Sequence, residues 1–323
     1  MSDPYFVKGL PENINDDHIV KATAMDGYVK ACAIRTTEVV RAAQKYHNTS
    51  DSVTAALGRF MTASLLISEN MKNENDTQTS IIKCDGLIKG MTCVCDSSFN
   101  CRAYPVNNRI DGDDVPNVKG AVGNGTLTII RDIGLREPYC GQVELMTGGI
   151  GEDFTYYLMA SEQTPSIVAL GVLQENGTIK HAGGMMIQLL PGATEEDIDY
   201  LEKRVNGGFP EITFLMSEGL SPEKIVDMFL GDPEICFLSG EKVGFNCNCS
   251  AEKMSRGLAT LGKADLQELA NDPKGIDIEC HFCNSKYHFT SEDVKKLMEE
   301  AGFKDVKVVQ DYAHLDRVVW GRI

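Results

Sequence analysis

The chain has 323 residues, 42% hydrophobic and 24% charged, which is the composition of a folded globular protein. Asp and Glu outnumber Lys and Arg by 47 to 31, and the formal net charge of -16 argues against nucleic acid as a main partner, because an acidic surface repels phosphate. The N-terminus does not resemble a secretory signal, and no apolar run is long enough to span a membrane, so we expect a cytoplasmic protein without a membrane partner.

The first half of the chain predicts helices followed by a β-meander. Helices are expected over 36–46 and 54–66, where apolar residues recur at helical spacing. Segment 79–104 alternates like three short strands separated by turns. The triplet at 123–125 is interpreted as a hairpin turn beside a strand over 126–131. These elements predict an α+β protein whose large mixed α/β N-terminal domain contains β-sheets and packed helices.

A highly charged helix is expected after Thr194, which precedes an acidic first turn in the manner of an N-cap. Its apolar stripe is narrow and consists of Ile198, Leu201 and Val205. Such a helix depends on docking against a neighbouring surface rather than on its own propensity. Such a segment can be bistable, so we interpret these three residues as a switch region; an ordinary amphipathic surface helix stays open as the alternative.

The character of the chain changes after a second capped helix that begins at Ser221. Five of the eleven cysteines lie between 232 and 287, which favours a small C-terminal unit stabilised by metal. We divide the chain into a core domain over 1–180, a linker with metastable helices over 181–232, and a C-terminal redox-switch zinc domain with a terminal helix over 233–323.

Four cysteines form two close pairs with the spacing of metal ligands. Cys247 and Cys249 are separated by thirty residues, 250–279, from Cys280 and Cys283. Zinc prefers four thiolates in a tetrahedron, and a short loop bearing two cysteines supplies two corners at once. We predict one Zn²⁺ per reduced chain on these four residues.

The Cys247-Asn248-Cys249 spacing also suggests a redox role for this site. Two thiols held so close can join as a disulfide, and a disulfide does not bind zinc, so oxidation and zinc loss are coupled. A permanent structural zinc without a redox role is the open alternative. Replacement of a sulfur by His281 or His288 is less favoured, because four cysteines already fill the tetrahedron.

These residues resemble the heat-shock protein 33 family, the redox-regulated 33 kDa chaperonins of the bacterial cytosol. The resemblance rests on the Cys-x-Cys, the length of the insert, and the Cys-x-x-Cys followed by Asn284, Tyr287 and Phe289. It extends upstream through three further segments, at 161–163, 182–191 and, more loosely, 57–66.

The resemblance implies an ATP-independent holdase rather than an enzyme, inactive while reduced and zinc-bound. Under oxidative stress it implies disulfides that join Cys247 to Cys249 and Cys280 to Cys283, with release of zinc. The resemblance also implies that the linker then loses order, that unfolded client proteins bind, and that the active form is a homodimer. On this basis Ile198, Leu201 and Val205 are expected to form a client-binding or switch region.

Two other functions stay open: a thiol-disulfide oxidoreductase that uses Cys280 and Cys283, and a constitutive zinc-ribbon interaction protein. Cys93 and Cys95 would share one face of a strand, where they could bind metal or oxidise, but burial is the favoured account. The same account covers the other cysteines outside the metal motif, Cys32, Cys84, Cys101, Cys140 and Cys236.

Overall fold

The computed structural model describes residues 15–71, 73–110, 117–300, 304–310 and 316–322. The chain divides into two compact units, Met1–Asn246 and Cys247–Ile323. Each unit has its own apolar core.

The first unit combines antiparallel strands with helices. Its strands are β1 (His18–Ala24), β2 (Val29–Arg35), β3 (Thr77–Cys84), β4 (Gly90–Asp96), β5 (Asn100–Pro105), β6 (Gly125–Asp132), β7 (Tyr139–Glu144), β8 (Ser166–Glu175), β9 (Thr178–Leu189), β10 (Cys236–Lys242) and β11 (Gly244–Phe245). Its α-helices are α1 (Thr37–His47), α2 (Asp51–Ile67), α3 (Val118–Val122), α4 (Gly151–Ala160), α5 (Glu195–Asn206), α6 (Ile212–Ser217) and α7 (Pro222–Leu230).

Two sheets enclose the main core. The first has the strand order β10-β1-β2-β9-β8 and the second β11-β5-β4-β3-β6-β7, with antiparallel pairing throughout except between β11 and β5. Helix α2 is buried along almost its whole length and shares one apolar cluster with Ile34 of the first sheet and Cys93 of the second. This architecture confirms the α+β fold predicted from the sequence.

The other face of the first sheet is covered by helices, and we call it the covered face. Its strands contribute the buried residues Val20, Ala22, Val29, Ala31, Ala33, Met185 and Ile187. The helices contribute Leu201 from α5, Ile212, Leu215 and Met216 from α6, and Ile225, Val226, Phe229 and Leu230 from α7. Burying this apolar area drives the helices onto the sheet.

Two glycines on the covered face make room for α6. A Cβ at Gly183 would overlap the side chain of Met216, and a Cβ at Gly171 would lie 2.5 Å from Cγ2 of Thr213. The short helix therefore fits because two positions of the sheet carry no side chain. Helix α6 was not predicted from the sequence.

The capped helices begin where the sequence predicts. The hydroxyl of Thr194 accepts a hydrogen bond from the Asp197 amide at 3.2 Å, and the Asp197 carboxylate accepts from the Thr194 amide at 2.8 Å. Ser221 Oγ accepts from the Lys224 amide at 3.4 Å, and α7 ends at Gly231, which is left-handed with φ 60°.

The interpretation of 123–125 as a hairpin turn is wrong. These residues connect α3 to β6, and the β6–β7 connection lies at 133–138. Gly123 has a φ of 72°, and a Cβ there would lie 2.5 Å from the Asp85 carboxylate. The glycine therefore permits a close approach between two segments that are distant in the sequence. In the sequence alone, the same glycine-rich pattern looks like a local turn.

The second unit is built from α8 (Ala251–Leu258), α9 (Lys263–Asn271), β12 (Ile276–Glu279), β13 (Lys286–Phe289), α10 (Ser291–Glu300), β14 (Lys304–Gln310) and β15 (Asp316–Arg322). Strands β12 and β13 pair antiparallel, as do β14 and β15. Its apolar cluster is small and contains the buried residues Leu258, Leu266, Ala270, Phe289, Val294 and Met298. A core of this size gains from an added metal site.

The predicted division at 180/181 and 232/233 stays a prediction about functional parts. Strand β9 spans the first of these positions, and β10 and β11 belong to the first unit. Within the described ranges, no helix is both long enough and apolar enough to cross a bilayer.

Candidate metal centre

The four cysteines of the predicted metal motif lie on two loops of the second unit. Cys247 and Cys249 precede α8, and Cys280 and Cys283 lie in the turn that joins β12 to β13. In that turn the Cys280 carbonyl accepts hydrogen bonds from the amides of Cys283 at 3.3 Å and Asn284 at 2.8 Å. The tight turn keeps the two thiols of the second pair close together.

The structure brings all four sulfurs together. They lie within 4.8 Å of one another, with 3.6 Å between Cys247 Sγ and Cys280 Sγ and 3.4 Å between Cys249 Sγ and Cys283 Sγ. Zinc–sulfur bonds of about 2.3 Å in a tetrahedron place neighbouring sulfurs about 3.8 Å apart. The spacing of the thiols therefore suits one zinc ion once these two short contacts lengthen slightly.

Two polar side chains adjoin the sulfurs. The Tyr287 hydroxyl donates a hydrogen bond to Cys249 Sγ at 3.0 Å, and the Cys283 thiol lies 3.2 Å from Ser285 Oγ. Burial raises the pKa of the Cys283 thiol, but its hydrogen bonds with Ser285, Cys249 and Cys247 together outweigh burial and bring the pKa down to about 7. The hydrogen bond to Cys249 raises the pKa of Tyr287 to about 12. The spacing of the motif gave no signal for these two contacts.

The donor set consists of sulfur alone. Neither His281 nor His288 belongs to the group of ligand atoms within 4.8 Å of one another, in the part of the chain that the structure describes. His288 instead places its Nδ1 2.8 Å from Asp277 Oδ1, across the β12–β13 pair. Four cysteines are a donor set that zinc favours in structural sites.

The local fold differs from that of a dithiol oxidoreductase. In thioredoxin-like enzymes the nucleophilic thiol of Cys-x-x-Cys lies at the N-terminus of a helix, which lowers its pKa. Here Cys280 and Cys283 lie in a hairpin turn between β12 and β13. The surroundings of the motif therefore favour metal binding.

Comparison with known proteins gives the family. A family profile described as Hsp33 protein matches residues 17–290. The chain belongs to the Hsp33 family. It is 42% identical over 288 residues to the 33 kDa chaperonin of Lachnoclostridium phytofermentans, covering 88% of this chain and 98% of the relative. The 33 kDa chaperonin of Clostridioides difficile is 40% identical over 289 residues, covering 88% and 99%.

A solved structure agrees with this assignment. The 33 kDa chaperonin of Thermotoga maritima superimposes with a TM-score of 0.79 at 29% identity, covering 88% of this chain and 98% of that one. The Hsp33 family is a family of chaperones, so this chain is a chaperone by membership.

The remaining cysteines of this Hsp33-family chain fall into two groups. Cys32, Cys93, Cys95 and Cys101 are buried, which confirms the prediction for them, and Cys93 Sγ lies 3.9 Å from Cys95 Sγ. Cys84 is half-buried. The prediction of burial is wrong for Cys140 and Cys236, which are exposed because they lie on β7 and β10, at the edges of the two sheets.

The predicted switch residues lie on one side of α5. Leu201 is 2% exposed, whereas Ile198 is 37% and Val205 is 44% exposed. The three line an apolar groove together with residues of β8 and β9, namely Ile167, Ile187 and Leu189. Leu201 is the buried residue of α5, so the apolar docking of this helix depends mainly on one side chain.

Polar contacts tie α5 to the end of α7. Arg204 donates from Nε to the Phe229 carbonyl at 2.8 Å and from Nη2 to the Met228 carbonyl, and the Tyr200 hydroxyl donates to the Leu230 carbonyl at 2.6 Å. These carbonyls belong to the last turn of α7, where a cation and hydrogen-bond donors are favourable. Helix α5 therefore caps α7. The sequence pattern did not predict this role for Arg204.

Proposed function

We propose that the chain is a redox-regulated, ATP-independent holdase of the cytoplasm that binds unfolding proteins under oxidative stress. It is inactive while reduced and zinc-bound, and disulfide formation with zinc release activates it. The observation that carries the proposal is the group of four sulfurs, Cys247, Cys249, Cys280 and Cys283, all within 4.8 Å of one another in a member of a chaperone family.

The redox step is a balanced two-electron reaction at each pair of thiols. When bound, zinc holds the four thiolates at one point and so stabilises the small second unit. Each disulfide forms as two thiolates give up two electrons, which one molecule of hydrogen peroxide takes up with two protons as it becomes two molecules of water. We propose that Cys247 pairs with Cys249 and Cys280 with Cys283. Sulfurs joined in this way no longer ligate the ion.

The weak attachment of α5 supports a link between this reaction and client binding. Leu201 is its main apolar anchor, and Arg204 and Tyr200 tie it to α7. A helix of this length is marginal on its own, so it is ordered only while it is docked. Loss of the folded second unit would shift this equilibrium toward release.

Release of α5, α6 and α7 would expose the covered face of the first sheet. Residues such as Val20, Ala31, Met185 and Ile187 are buried there against the helices. An apolar sheet face of this kind suits the apolar segments that an unfolding protein exposes. We propose that clients bind it together with the stripe Ile198, Leu201 and Val205, and that the active form is a homodimer.

Zinc release measured beside client protection tests the proposal. We expect one zinc per reduced chain, its release by peroxide with mild heat, and suppression of client aggregation only after release. The double variant Cys249→Ser, Cys283→Ser should lose both zinc retention and oxidant dependence. The matched control Cys140→Ser removes an exposed thiol far from the cluster in sequence and should behave as wild type.

Two results would contradict the proposal. An active chaperone that still holds zinc would exclude the switch, and sustained turnover of a disulfide substrate would favour an oxidoreductase. Tryptic mapping separately tests the pairing of the cysteines. Neighbour disulfides stay within peptides 243–253 and 275–286, whereas any other pairing links the two peptides.

A further inference from the structure

A buried pair of ionisable side chains joins the first strand of the core to α7. His18 on β1 is 1% exposed, and Glu223 in the first turn of α7 is 4% exposed. His18 Nε2 lies 2.9 Å from Glu223 Oε1, and the two residues are 205 positions apart in the sequence. The contact therefore ties a helix of the predicted linker to the sheet that it covers.

The hydrogen-bond partners of His18 determine how many protons the pair holds. Its Nδ1 lies 2.7 Å from the backbone carbonyl oxygen of Asp16, and its Nε2 faces the Glu223 carboxylate. Both partners are acceptors, and a neutral imidazole has only one N–H to offer. The imidazolium can donate to both acceptors at once, whereas the neutral ring can donate to only one of them.

The surroundings favour the charged form of both residues. Burial alone lowers the pKa of His18, but its hydrogen bonds to Glu223 and to the Asp16 carbonyl raise the pKa above its usual value. Burial raises the pKa of Glu223, but the hydrogen bonds from His18 and Ser221 lower it below its usual value. The N-terminal position of Glu223 in α7 adds a favourable helix dipole.

Other charged groups also face this pair. Arg35 on β2 acts on His18 in the opposite sense, because its positive charge disfavours the imidazolium, and Arg35 itself faces Asp17. Lys242 lies opposite His18 on β10 and is exposed. Among these charged groups, the carboxylate of Glu223 makes a direct hydrogen bond to the ring and affects the pKa of His18 more than Arg35 does.

We propose that His18 and Glu223 form a protonation-dependent clasp that positions α7 on the covered face, so that release of the linker helices becomes easier as pH rises. The inference rests on the proposed function, because it sets the threshold of that linker release. His18 binds its proton more tightly in the folded chain than in the unfolded one. Its stabilising contribution is therefore complete below about pH 6.5 and is lost as pH rises through the folded pKa.

Amide hydrogen exchange of α7 tests the clasp in the reduced, zinc-loaded full chain. We compare wild type with His18→Gln and Glu223→Gln between pH 7 and pH 9.5, after correction for intrinsic exchange rates. We expect the opening constant of α7 in wild type to rise about tenfold or more with pH. In both variants it should already be raised about tenfold to hundredfold at pH 7 and should change little with pH.

The matched control is Glu241→Gln. This change removes a half-exposed carboxylate on β10, whose partner Lys21 lies 3.5 Å away. We expect its exchange profile to follow wild type. Nitrogen shifts of the His18 ring, followed against pH, give a second readout in the unaltered protein: both ring nitrogens should stay protonated to a higher pH than in an ordinary histidine.

The clasp is overturned if the variants share the pH profile of wild type, or if the His18 ring loses its second proton at or below the pH at which an ordinary histidine does. If His18→Gln does not fold, the exchange profile of Glu223→Gln and the ring nitrogen shifts of wild type still test the clasp. Failure of the proposed function looks different, because oxidised wild type would then not protect a client, whatever the exchange profile of α7.

Discussion

Truncation of Leu201 tests whether the docking of α5 keeps the chaperone inactive. The side chain is 2% exposed and is the buried residue of its helix, so Leu201→Ala removes most of the apolar anchor. Burial of a leucine side chain stabilises by about 2 to 3 kcal/mol, and the open groove beside α5 lets the site relax, which limits any cavity cost. Alanine is also the best helix former, so the loss falls on docking rather than on helicity.

A loss of about 2 to 3 kcal/mol raises the local opening constant of α5 about 30- to 140-fold. Hydrogen exchange of the α5 amides in the reduced, zinc-loaded protein measures this change directly. We also expect partial client protection without oxidant, at unchanged zinc content. The matched control Val205→Ala lies on the same stripe but is 44% exposed, and it should change little. Leu201→Ala with the α5 exchange rates of wild type would refute the reasoning.

Two further changes test other parts of the first unit. Arg204→Ala removes two hydrogen bonds to the last turn of α7, so we expect faster exchange in both α5 and α7; a change confined to α5 would argue against the cap. Burial raises the pKa of Asp17 to about 6, so the folded chain binds this proton more tightly than the unfolded chain does. As the pH rises from about 4 to about 6, wild type therefore loses about 3 kcal/mol of stability from this group. Asp17→Asn should therefore stabilise at pH 7 by up to that amount and little at pH 4, as measured by urea unfolding; an equal difference at both pH values would contradict this.

The sequence predicted the features that are encoded locally. Four cysteines at metal-ligand spacing indicate a site whatever surrounds it, and Thr194 and Ser221 mark helix starts by their own side chains. The meander over 79–104 was also recognised, because its strands are consecutive and alternate. In each of these cases the signal lies within a few neighbouring residues.

Features that depend on distant partners were missed. Strand β10 pairs with β1 from the opposite end of the first unit, and no pattern within 236–242 shows this pairing. Helix α6 is short and lacks a capping side chain, and the two glycines that accommodate it lie on other elements. The contact of His18 with Glu223 likewise appears only after β1 and α7 have been brought together.

The glycines at 171 and 183 bear on how a released linker could return. Each leaves a hollow on the covered face that a particular side chain of α6 fills, Thr213 at one and Met216 at the other. A client segment of arbitrary sequence can cover the same apolar area, but it does not carry both side chains in the right register. If clients bind the covered face as proposed, the two hollows would favour the return of α6 over a bound client segment, because only α6 carries side chains that fit both.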